Sequence, residues 1–412
     1  MCRKASPDSV PPVRCSWNKK KDMRLHRYIS FFVFQIALLL LASCAVVSDL
    51  DSADGPGDWT IFRGSPSLDG YVERSLPASP RLQWTFRNDV RTVSSPIIYG
   101  GNAYTCDRKG VIRGIDKDGQ KFFEHDLGTT VEASFVIRDS VMYVGRIDGF
   151  VTAFDLPTRK TLWEFETLGQ ISASPNLIEK NGGLQLLVGS YDNNMYTIDA
   201  FDGSQMSCFP SGYYINGAAA LWQDYMVYGC CDAWLRIVNT QTGQQTDSLE
   251  LNAYVPASPA IMDHFAYVSD YSGSLYEVEI EAGRFKKHRM FRTVRSDQED
   301  SEGGMVSMPS VSPDAVYILS GDRRIRCFDR KSGKERWNRL LRGETGESAP
   351  IICRDKVLVC TKDGHVSILQ AKDGSELWHF EAGEQIIASP AVIDGGFYIL
   401  TSRGKLFFFT EA

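Results

Sequence analysis

ESAPIICRDKVLVCTKDGHVSILQAKDGSELWHF, residues 347–380, reads as four short β-strands joined by tight turns. Ala349-Pro350 leads into the apolar run Ile351 to Cys353, and Arg354-Asp355-Lys356 turns the chain back into Val357 to Cys360. Asp363-Gly364 predicts a two-residue type I′ hairpin, a turn with positive φ at both central residues. His365 to Gln370 alternates polar with apolar residues, and Lys372-Asp373-Gly374 leads into a last strand carrying Leu377, Trp378 and Phe380. One such unit cannot bury both faces of its sheet, so it needs neighbours.

The neighbours lie along the rest of the chain. Anchors at Pro96, Phe135, Pro175, Ala219, Pro259, Pro309, Pro350 and Pro390 are separated by 39, 40, 44, 40, 50, 41 and 40 residues. A period of about 40 is that of a four-stranded propeller blade. The phase holds inside the copies too: Asp116, Asp155, Asp199, Asn239, Glu279, Asp329 and Gln370 close the third strand, and Trp163, Trp337 and Trp378 each fall 28 residues after their anchor. The last copy has room for only three strands, whereas an unpaired Trp84 in Leu82-Gln83-Trp84-Thr85-Phe86 precedes the first anchor. The expected fold is therefore all-β, an eight-bladed propeller of four-stranded antiparallel blades, closed by an N-terminal strand that completes the last blade. A composition of 43% hydrophobic residues with 35 Gly and 17 Pro suits many short strands and tight turns.

Residues 1–43 are of another kind. Arg24, His26 and Arg27 precede an apolar run from Ile29 to Leu41 that is too short to span a bilayer and ends in small residues, the pattern of a secretory signal. Leu41-Ala42-Ser43-Cys44 resembles the lipobox of bacterial lipoproteins, which implies cleavage before Cys44 and acylation of its thiol and amine, palmitate included. The long lead before Met23 places the expected start of translation at Met23. Residues 44–57, rich in Asp, Ser, Gly and Pro, read as a flexible tether, and 58–412 as the propeller. Ala45 after the Cys, rather than Asp, points to the outer membrane.

Residues 1–43 carry eight basic and two acidic residues, so the remainder has 37 basic and 49 acidic ones and a net charge of −12. Nucleic-acid binding is disfavoured. Beyond Cys44 there are seven Cys with no CxxC and no regular pairing, so no disulfide framework is expected. The five His of that region stand far apart in sequence, with no HxH or HExxH, and no metal site is expected.

Asp58-Trp59-Thr60-Ile61-Phe62-Arg63-Gly64, the recurring Ser-Pro openings, and the strand ends Asp329 to Trp337 and Gln370 to Trp378 resemble the PQQ-like β-propeller repeat family. The lipobox, eight repeats and the ending Leu400 to Thr410 narrow the resemblance to the outer-membrane assembly lipoproteins of that family. In such propellers the outer-strand Trp docks between adjacent blades, which implies that role for Trp84, Trp163, Trp337 and Trp378. Glu124, Ser207, Asp247 and Lys287 lie at or near the slot in the other blades.

The resemblance implies a non-enzymatic scaffold without cofactor, lipid-anchored through Cys44 and facing the periplasm. It would be a monomeric subunit of a complex, binding the periplasmic domains of the barrel-assembly subunit BamA and also unfolded outer-membrane chains. The 50-residue step is the expected contact loop: Arg284 to Arg292, then Arg295, followed by the acidic Asp297, Glu299, Asp300 and Glu302. Other members of the fold oxidise alcohols with pyrroloquinoline quinone and Ca²⁺, and Cys230-Cys231 echoes the adjacent Cys pair of some of them. It sits at an ordinary strand-to-turn position, and no Ca²⁺ ligand set maps onto the chain. A propeller lipoprotein that binds a small ligand is the third class. No copy of the repeat is rich enough in aromatic residues to predict a sugar platform.

Overall fold

A computed structural model describes residues 57–180, 182–291 and 307–412 of the chain. Among them eight antiparallel sheets form the blades of one propeller. Blades 1 to 7 occupy 97–126, 136–166, 176–210, 220–250, 260–291, 310–340 and 351–381. Blade 8 joins 391–411 to the strand Pro80–Arg87, which pairs antiparallel with Lys405–Glu411 and sets Trp84 opposite Phe408. The two ends of the ring share one sheet, so closure leaves no free edge there. The first strand of each blade is innermost and the fourth, exposed on alternate residues as in Lys160–Glu166, is outermost.

The Asp-Gly turns differ from the expected type. Gly364 has φ +100° but Asp363 does not take positive φ, and Gly364 donates its N–H to Thr361 at 3.1 Å while Thr361 donates to His365 at 2.9 Å. This is a three-residue loop with one left-handed Gly, and a Cβ on Gly364 would meet the Glu384 carbonyl at 2.3 Å. The Asp column that closes the third strand caps the next turn: Asp199 Oδ1 accepts from the Phe201 amide, and Asp329 Oδ1 from the Ser332 amide.

Between the third and fourth strands of every blade a β-bulge fixes which residue docks on the next blade. Opposite the residue two before the closing position of the third strand stand Trp84, Phe123, Trp163, Ser207, Asp247, Arg289, Trp337 and Trp378. In blades 1 and 5 the slot residue is thus Phe123, next to Glu124, and Arg289, two beyond Lys287, because the bulge shifts the register in a way that spacing alone does not show. Trp84, Trp163 and Trp337 donate their indole N–H to the carbonyls of Lys117, Ala200 and Ala371 in the following blade. Trp378 packs edge-on against Phe409 of blade 8 at 5.3 Å. In blade 5 Arg289 covers Gly333 of blade 6, and donates to the carbonyl of Arg330 at 2.5 Å.

The first strands are joined by two hydrogen-bonded circuits. On the side where the chain enters them, five of the residues that precede an anchor give their N–H to the serine one blade on. Ser95 donates to Ser134, Ser134 to Ser174, Ala218 to Ser258, Ala349 to Ser389, and Ser389 back to Ser95 across the closure. The recurring Ser-Pro openings encode this belt.

The second circuit is the stretch Asp58 to Ser75, which follows the inner edges of the blades in order. The carbonyls of Trp59, Thr60, Pro66, Ser67, Asp69 and Gly70 accept the N–H groups of Ile98, Ile137, Leu221, Ile261, Val311 and Ile352, the second residue of the inner strand in blades 1, 2, 4, 5, 6 and 7. Tyr71–Val72 pairs parallel with Ile352 and Cys353, and Ser75 accepts from Gly395 of blade 8. Unpaired inner-strand donors would otherwise face the channel. Arg63, at φ +63°, lies buried inside this strap and donates to Ser310 at 2.6 Å.

Candidate functional site

Two kinds of loop build the face opposite the first-to-second-strand turns that the strap reaches. One is the link from the outer strand of a blade to the inner strand of the next; the other is the turn between second and third strands. They meet by one repeated hydrogen bond, from the turn amide to the link carbonyl: Ile147 to Thr130, Tyr191 to Gln170, Cys231 to Tyr214, Tyr271 to Tyr254, Lys362 to Glu344 and Ser402 to Gln385. Aromatic residues fill these positions across blades 3 to 5.

Tyr191 and Tyr214 stack with centroids 4.8 Å apart and planes at 8°, and Tyr213 lies 4.3 Å from Tyr214. Tyr254 and Tyr271 follow at 5.9 Å from one another. Tyr213, Tyr214, Tyr254 and Tyr271 are 49%, 38%, 57% and 50% exposed, and Leu168 beside them is 91% exposed. Exposed tyrosines present broad apolar rings with a polar tip and lose little entropy on contact, so they are common anchors of protein interfaces. No single repeat is rich in these aromatic residues, which is why the sequence does not announce the row. The residues come from three repeats and from both loop types, and only the ring brings them together. Tyr191, Tyr214, Tyr254 and Tyr271 share loop columns of the repeat, a signal that the sequence does hold.

Carboxylates beneath the rings hold the loops in place. Asp232 accepts from the Gly212 amide at 2.8 Å and from Arg236 at 3.0 Å. Burial pushes the Asp232 carboxyl up, but these hydrogen bonds outweigh it and keep it below the ordinary carboxylate range. Asp192 accepts from the Tyr196 hydroxyl at 2.7 Å and from the Leu168 amide at 3.0 Å, and Asp270 from the Tyr276 hydroxyl at 3.0 Å.

Of the expected contact loop, Arg292, Arg295, Asp297, Glu299, Asp300 and Glu302 lie outside the described residues, as does Cys44. Arg284–Phe291, read from sequence as part of the insertion, is the outer strand of blade 5 paired with Leu275–Glu281. The insertion therefore begins after Phe291.

Cys230 and Cys231 are separate thiols. The Cys230 thiol is buried, 3.0 Å from the Tyr213 carbonyl, and the Cys231 thiol is pushed up to about 11 by burial, which keeps both protonated at neutral pH. A calcium ion beside a quinone would need a convergent set of carboxylate and carbonyl oxygens in the channel. Among the described residues no group of three His, Cys, Asp or Glu donors converges on the channel; the one such group is His365, His379 and Glu381 on the two outer strands of blade 7. His365 and His379, 14 residues apart in sequence, meet there across a hairpin.

A sequence model described as "Outer membrane protein assembly factor BamB" matches residues 108–293 and 292–410. Outer membrane protein assembly factor BamB of Burkholderia pseudomallei is 22% identical over 397 residues, which span 93% of this chain and 98% of that protein. The crystal structure of BamB from Moraxella catarrhalis superposes with a TM-score of 0.65 at 19% identity, over 80% of this chain and 97% of that one. Quinohemoprotein alcohol dehydrogenase from Comamonas testosteroni superposes with a TM-score of 0.72 at 12% identity, over 87% and 81%. At these identities the structural likenesses establish the propeller, which serves binding proteins and enzymes alike.

Proposed function

The chain belongs to the family described as outer membrane protein assembly factor BamB, and from that premise we propose that it is a non-enzymatic scaffold of outer-membrane protein assembly. In this reading Cys44 carries the lipid anchor, the propeller faces the periplasm, and the tyrosine face of blades 3 to 5 docks the barrel-assembly subunit BamA. Unfolded outer-membrane chains are further clients.

The observation that carries the reading is the row of exposed tyrosines on loops pinned by Asp192, Asp232 and Asp270. A rigid sheet ring holds these loops in the bound arrangement beforehand, which reduces the ordering cost of association. In this proposal Arg292, Arg295, Asp297, Glu299, Asp300 and Glu302 add charged contacts to the same partner.

The test is affinity purification of the full-length protein from its native membrane, with mass spectrometry of proteins, metal ions and small molecules. Recovery of the barrel-assembly subunit, reduced when 295–304 is shortened, supports the scaffold. Recovery of calcium and a quinone without any assembly subunit overturns it in favour of a quinoprotein.

A further inference from the structure

We propose that His365, His379 and Glu381 form a site for a divalent transition-metal ion on the two outer strands of blade 7. His365 pairs directly across from Glu381, and His379 across from Ser367, so the three side chains stand on one face of the sheet. His365 Nδ1 and His379 Nε2 face each other at 3.2 Å, and Glu381 Oε1 lies 3.8 Å from His365 Nδ1. All candidate ligand atoms fall within 4.8 Å of one another. Two imidazole nitrogens on a tetrahedral ion with bonds of about 2.0–2.1 Å stand roughly 3.3 Å apart, so the observed pair is already at bridging distance.

Carboxylates flank both nitrogens of the His365 ring. Asp363, anchored by the Thr361 hydroxyl at 2.7 Å, lies 3.8 Å from His365 Nε2, on the side of the ring away from Glu381 and His379. In the tautomer that binds a metal, a lone pair on His365 Nδ1 and one on His379 Nε2 point at each other. Two facing lone pairs need a shared proton or a metal between them. Arg342 is engaged by Glu376 at 2.7 Å, which offsets its charge near an incoming cation. Two imidazoles and a carboxylate suit zinc and its neighbours in the first transition row rather than calcium or magnesium. Glu381 is exposed, so a fourth position opens to solvent and to a ligand from outside the chain.

The test uses the full chain without a polyhistidine tag, titrated with Co²⁺ and with Zn²⁺. One Co²⁺ per chain is expected, with visible d–d bands and no thiolate charge-transfer band. His379→Gln abolishes binding, Asp363→Asn weakens it by about 10- to 100-fold, and His125→Gln in blade 1 leaves it unchanged. NMR of the unmutated protein adds an arm that does not depend on any variant folding: Zn²⁺ shifts the ring signals of two of the histidines and no others. No saturable binding, a thiolate band, or binding insensitive to His379→Gln overturns the proposal.

Discussion

The side-chain amide of Asn176 donates to the carbonyl of Pro66 at 2.8 Å, taking the place that a backbone N–H fills in six other blades. The same amide donates to Ala219 at 2.7 Å, while Asn176 Oδ1 accepts from its neighbour Leu177 at 2.8 Å. A fully buried side chain thus relays blade 3 to the strap and to blade 4.

Asn176→Ala leaves two carbonyls and one amide without these partners in the ring. A loss of about 1–3 kcal/mol is expected in urea denaturation. A change within about 0.5 kcal/mol, the range of ordinary surface substitutions, shows that the strap contributes little in blade 3.

Trp337 lies over Gly374 of blade 7, where a Cβ on the glycine would stand 2.6 Å from the ring, and its N–H reaches Ala371 at 2.9 Å. Trp337→Ala is expected to cost roughly 3–5 kcal/mol by opening that interface. Gly374→Ala is destabilising as well, since φ is +72° and the added methyl meets the indole. Denaturation midpoints of the two variants check both.

Asp232 gives a pH dependence whose sign is fixed. Its carboxyl titrates below the ordinary range when folded, so the unfolded chain binds the proton first as pH falls. Its contribution is full above about pH 4 and is lost as pH drops through the folded-state value. The fall in urea midpoint from neutral to acid pH is therefore steeper in the unmutated protein than in Asp232→Asn.

Tyr214→Ala and Tyr254→Ala remove exposed rings from the loop face. Each is expected to lower retention of the assembly partner by at least about tenfold, the size of a modest interface anchor. Melting temperature should change little. Equal retention by the double variant moves the contact elsewhere on the ring.

Cys44→Ala tests the anchor. The variant is expected to leave the membrane fraction and to lose incorporation of labelled palmitate. Unchanged membrane partition and labelling would remove Cys44 from the reading.

Sequence alone determined the number of blades, their four strands and the closure through Trp84, because a repeat restates its pattern eight times and each strand carries its own alternation and turn residues. It also held the Asp turn caps, which are local, within two to four residues of the groups they bind. The docking residue is less legible: a bulge adds one unpaired residue, and spacing cannot say whether Phe123 or Glu124 faces the next blade. The tyrosine face, the strap on the inner edges and the His365–His379 pair belonged to the tertiary structure. Each joins residues from separate turns, strands or blades, and a linear pattern records nothing about groups whose proximity arises only when sheets close around a common axis.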